Sequence, residues 1–231
     1  MILKGIFAIE LRNGFDELER YLKITEEYLQ KAKSDFESHV QEQAKKLSTA
    51  GLSPEERDEI NEFYGEAHWD YAETFPRILR SSFFVSAYSL LEYKMAIICK
   101  WLKKDKQIPI SWSDLKGDTL DQFKLYCKLA GLELSYNTQA WQEIQHYSRV
   151  RNCIVHNRGL VEGVKQEKEL QAYASRKNII DDSMLGLSIR LKAQIALTED
   201  FCKEVTKTIW VFLSNILKAY ELLRQEQKAN D

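Results

Sequence analysis

Between residues 147 and 159 the chain reads Tyr-Ser-Arg-Val-Arg-Asn-Cys-Ile-Val-His-Asn-Arg-Gly, and Arg151, Asn152 and His156 are the three side chains there best suited to phosphate chemistry. An imidazole titrates near neutrality and can carry protons to or from a hydroxyl. A guanidinium can grip a phosphate with two parallel hydrogen bonds and stabilise the charge that builds on it. Asn152 and His156 are four apart and stack on one helix face. Arg151, five from His156, lies about 140° around the helix, and its length lets the two converge at the helix end. Val150, Ile154 and Cys153 supply apolar contacts, and Gly159 is the expected left-handed cap. A second reading stands on residue types alone: the helix dipole favours a His in the last turn, and a neighbouring Arg can simply be solvated.

Other candidates are weaker. Glu92 could pair with Arg151 or orient His156, or form a structural ion pair; Ser89 is the other polar residue in that apolar run. Asn157 and Arg158 extend the motif, and Arg149 and Arg158 could widen a phosphate-binding patch or be plain surface charges. Tyr147 could stack a base or fill a core. His39, His68 and His146 have no partners at useful spacing. The four cysteines, Cys99, Cys127, Cys153 and Cys202, share no metal-like spacing and read as buried free thiols. No metal or cofactor is expected. With 33 Lys+Arg against 35 Asp+Glu, the net charge of −2 excludes a globally basic nucleic-acid binder, so any RNA contact needs a local patch.

Long helices must position these residues, because 231 residues hold only three prolines and nine glycines. From Phe15 to Leu47 apolar residues recur at steps of three and four, a heptad-like seam on a helical arm. That seam suits either a hairpin packed on its own domain or a coiled coil with a partner chain. Ser53-Pro54-Glu55-Glu56 is a strong helix start, with the helix expected to reach about Ala72 and Pro76 opening or kinking the next. Residues 77–103 carry a wide apolar stripe and should form the central buried helix. Further helices are expected at 119–130, closed by Gly131, at 137–157, capped by Asn137, and from Thr198, with a tail fraying from Gln225. Leu185, Leu187, Ile189 and Leu191 alternate as in a strand, half of a small hairpin with residues near Ile179. The expected organisation is all-α: an N-terminal arm at 1–76 and a helical domain at 77–231. The start is too short in apolar residues for a secretory signal, and no run of 18 apolar residues suggests a membrane span. The cytoplasm is the expected location.

The string Arg-Asn-Cys-Ile-Val-His at 151–156 resembles the Arg, four-residue spacer, His motif of HEPN domains, including the Asn after the Arg. Asn157-Arg158-Gly159 resembles the family's exit from that helix, and Ser82–Glu92 its other core helix. The resemblance covers about residues 78 to 224. It implies a helical bundle and metal-independent RNA cleavage in a cleft shared by two protomers. His156 would be the general acid/base, Arg151 the phosphate clamp and Asn152 an orienting group, with Glu92, Asn157 and Arg158 in support. It further implies a toxin or anti-phage and stress-defence role, with RNA as ligand, a homodimer, and an antitoxin or defence partner. The alternative is a non-catalytic module of the same type that binds nucleotides or proteins.

Overall fold

The stripe Phe84, Ala87, Leu91, Met95, Ile98 and Leu102 keeps a spacing of three and four, widened by Phe83 beside it, and all seven side chains are almost wholly buried. They belong to one helix, around which the other elements pack. The computed structural model describes residues 2–49, 53–181 and 193–230. The architecture is all-α. In chain order come α1 (Ile2–Thr49), α2 (Pro54–Trp69), a π turn (Asp70–Thr74), α3 (Phe75–Asp105) and a 3-10 turn (Trp112–Asp114). Then follow α4 (Thr119–Leu129), α5 (Gln139–Asn157), α6 (Glu167–Arg176), β1 (Ile180–Asp181), β2 (Gln194–Ile195) and α7 (Glu199–Asn230).

Ser53 caps α2 as its sequence suggests: its hydroxyl accepts from the Glu56 N–H, and the Glu56 carboxylate accepts from the Ser53 N–H. Pro76 sits in the first turn of α3, as expected. The π turn absorbs the mismatch, and α2, the turn and α3 run as one helix, Pro54–Asp105. By length and composition this helix could cross a membrane, yet half of its most apolar window is buried inside the protein.

α1 joins the expected arm to the rest of the fold. Its Phe15 and Leu22 sit in the same core as the α3 stripe, and Leu29 is buried as well. Further along, Phe36 stacks on Tyr71 at 5.0 Å and leans on Tyr64, which makes the distal half a hairpin with α2. The two halves of the hairpin base are locked by an ion pair whose Glu26 carboxylate is buried and whose Arg80 guanidinium is half-buried. Arg80 Nε and Nη2 donate to the two Glu26 carboxylate oxygens at 2.7 and 2.8 Å, and the bond raises the Arg80 guanidinium above its ordinary pKa.

Four sequence expectations are corrected by local chemistry. The cap of α5 is Thr138, whose hydroxyl accepts from the Trp141 N–H, rather than Asn137. The first left-handed residue after α5 is Arg158, with Gly159 following it. A further helix, α6, lies in the polar stretch after Gly159; it buries Leu170, Tyr173 and Ala174. α7 continues to Asn230, past the expected fraying point at Gln225. β1 and β2 pair antiparallel, Ile180 with Ile195 and Asp181 with Gln194, close to the expected Ile179. The strand expected at Leu185, Leu187, Ile189 and Leu191 lies outside the described residues. All four cysteines are buried and free, and burial raises their thiol pKa values, Cys153 to about 11.

Removing one member of a buried pair strands the other charge. Glu26→Gln or Arg80→Met should therefore each destabilise the protein by about 3–5 kcal/mol, while Glu26→Leu with Arg80→Met should cost clearly less than the sum. Urea unfolding of the three variants measures this, and additive losses would show that the two residues do not act as a pair.

Candidate active site at the end of α5

α5 carries two incompatible faces. Ile144, Tyr147 and Val150 are fully buried against α3 and α7, and Tyr147 meets Phe84 and Phe201 edge-on. Gln145, Arg149, Asn152 and His156, at steps of four, three and four, line one side of a cleft of about 760 Å³. Asp118, Leu120 and Asp121 at the start of α4 form another wall, and Gly163–Gln166 before α6 a third.

The helix stops abruptly. Arg158 and Gly159 are both left-handed, at φ 54° and 79°, and the Gly159 N–H returns to the Cys153 carbonyl at 3.0 Å. Asn157 donates to the Leu160 carbonyl and, at 3.1 Å, to that of Glu162, so its amide holds the exit turn. Gln194 on β2 donates to the Arg158 carbonyl at 2.8 Å and accepts from Arg77 Nη1 at 2.6 Å. The start of α3 is thereby tied to the end of α5.

The three principal candidates meet. Arg151 Nη1 donates to Asn152 Oδ1 at 3.0 Å and lies 3.4 Å from His156 Nε2. The Arg151 Nε is buried and has no hydrogen-bond partner. Asn152 and His156 are exposed and line the cleft; Arg151 stands half-buried behind them and is not part of the lining. Glu92 is half-buried and makes no ion pair with Arg151. One turn earlier on α3, the Tyr88 hydroxyl is pushed up to about 12 mainly by burial, with Ser148 and Arg151 opposing and the Glu92 charge adding. Arg158 is exposed and outside the cleft.

Sequence reasoning missed Tyr88, Gln145, Ser148, Asp118 and Asp121. For Gln145 and Ser148 a signal existed, since both precede Asn152 by whole or near-whole turns. Nothing local marks the aspartates, which arrive from another helix. His146, expected to be unpartnered, stacks on Tyr173 at 4.1 Å and lies 3.5 Å from Arg149 Nη1. Arg149 is also paired with Glu169 at 3.1 Å. Beneath the stack, the Tyr173 hydroxyl donates to Glu143 at 2.7 Å, and Lys177 pairs with both Glu143 and Glu204.

Burial first, then the Arg149 charge, lowers the His146 pKa below its ordinary value. The unfolded chain then takes up the proton more readily than the folded one. Stability from this group is complete above about pH 6.5 and is lost as the pH falls toward the depressed folded value. The wild type should thus lose more melting temperature between pH 7.5 and pH 5.5 than His146→Phe, which keeps the stack without the titration; equal losses would refute the assignment. No protein-family model matches the chain, and neither a curated protein nor a solved structure matches it.

Proposed function

We propose that this chain is a metal-independent endoribonuclease of HEPN type, acting in the cytoplasm as a toxin or in anti-phage or stress defence. One observation carries the reading. Arg151, Asn152 and His156 join within hydrogen-bonding reach in the last turns of α5, with His156 at the wall of an open cleft. An imidazole and a guanidinium so placed suit ribose 2′-hydroxyl attack on the adjacent phosphorus. The 2′-oxygen bonds to phosphorus, the bond to the 5′-oxygen breaks, and the proton passes to that leaving oxygen. The products are a 2′,3′-cyclic phosphate and a 5′-hydroxyl. His156 carries the proton, and Arg151 stabilises the phosphorane charge. Asn152 holds the guanidinium in place. A second copy would complete the cleft, and Val155, 45 % exposed in the motif's last turns, offers it an apolar contact. An antitoxin or defence protein would be a further partner.

One feature favours a second reading, a non-catalytic binding module. Arg151 is drawn behind the cleft wall with its Nε enclosed, so it must swing outward to touch a phosphate. Incubating the pure protein with mixed RNA in EDTA separates the two. For the nuclease, cleavage ends in cyclic phosphates, and Arg151→Ala and His156→Ala each lower the rate about 10²–10⁴-fold with helicity unchanged. Absent cleavage, or cleavage indifferent to both substitutions, returns the binding module.

A further inference from the structure

The cleft extends well beyond the motif, and its chemistry there is asymmetric. Counting back from His156, the same face of α5 presents Asn152 and then Arg149, about 10 Å further along the axis. Arg149 is not a loose surface cation. Its side chain is 29 % exposed, and its Nη1 is fixed by Glu169 and by His146, itself clamped flat on Tyr173. These contacts all use one nitrogen of the guanidinium. Among the described residues no hydrogen bond engages its Nε or Nη2, and a planar fork held at one corner is preorganised for an oxyanion. Lys165, exposed in the turn before α6, lines the same cleft. The α4 wall is opposite in sign: Asp118 and Asp121 stand there, and Asp118 is held as the helix cap by the Asp121 N–H at 2.9 Å. The α5–α6 side sets carboxylates beside its two cations, Glu169 on Arg149 and Glu167 on the Gly163 N–H, whereas the α4 side offers only acids, so an anionic strand is repelled from the α4 side and meets its cations on the other.

We propose that Arg149 and Lys165 form a second phosphate site in this cleft, which receives a neighbouring phosphate of one RNA strand while the scissile phosphate lies at His156. The proposal rests on the ribonuclease reading for the position of the scissile group, but not for the binding itself. It resolves the absence of a global positive charge, because two cations on one wall replace a basic surface. It also separates Arg149 from Arg158, which sequence alone treats alike.

The test uses a fluorescent 2′-O-methyl oligoribonucleotide, which binds but lacks the attacking hydroxyl, and follows anisotropy across a salt series. Each lost phosphate contact should weaken binding roughly tenfold at low salt and reduce the log–log salt slope by about 0.7. Arg149→Gln and Lys165→Gln should both do so. Lys168→Gln, an equal charge change outside the cleft, should not. Glu169→Gln breaks the same ion pair as Arg149→Gln but keeps the guanidinium, so it should bind at least as well as wild type. The site is overturned if the wild type does not bind, if the slopes of the Arg149 and Lys165 variants match wild type or Lys168→Gln, or if Glu169→Gln weakens binding as much as Arg149→Gln. Cleavage of ordinary RNA is read separately. Slopes that change as expected without cleavage sink the nuclease and keep this site; cleavage with unchanged slopes does the reverse.

Discussion

The end of α5 is the constraint on which the site depends. Two successive left-handed residues, Arg158 and Gly159, make a further helical turn impossible, and the chain leaves sideways. Gly159 then accepts from the Ile195 N–H at 2.8 Å, and Val161 donates to the Ala193 carbonyl at 3.0 Å. A Cβ at 159 would combine a strained backbone with contact on Gln194 at 3.4 Å. A longer α5 would carry His156 into mid-helix and bury the approach to it. The stop keeps the imidazole in the last turn, where the cleft begins.

That position is held from a distance. Gln194 satisfies the Arg158 carbonyl with one end of its amide and takes a guanidinium hydrogen of Arg77 with the other. Arg77 lies at the start of α3, three residues before Arg80, which grips Glu26 on α1. The first half of α1, the start of α3, the small sheet and the motif are thus linked by hydrogen bonds as well as by the shared core. Among the described residues, none of the distal hairpin beyond Leu29 lines the cleft.

Within the site, packing and charge work against each other. Arg151 lies four and seven residues after the buried Tyr147 and Ile144, on the same side of α5, and its guanidinium reaches Asn152 and His156. The enclosed Nε without a partner carries a penalty of about 1–3 kcal/mol. The Tyr88 hydroxyl is also kept in the interior and is hydrogen-bonded with Ser148.

Much of the fold was legible in the sequence because it is local. Apolar residues at steps of three and four announced α1, α3, α5 and α7, and Ser53-Pro54 with Glu56 announced the start of α2. The convergence of Arg151, Asn152 and His156 was also readable, since a helix fixes the separation of residues five apart. α6 was not, because three buried side chains in a polar run are too few to show a period. Nor was the Glu26–Arg80 pair, or the acidic wall that Asp118 and Asp121 bring opposite α5. By itself the sequence determined which segments are helical, which face of each is apolar, and that an imidazole and a guanidinium share one helix end. Only the tertiary structure decided that Arg149 lines the cleft while Arg158 does not, and that Glu92 makes no ion pair with Arg151. Periodicity is set by neighbours along the chain, whereas the company a polar side chain keeps is set by helices that arrive from elsewhere.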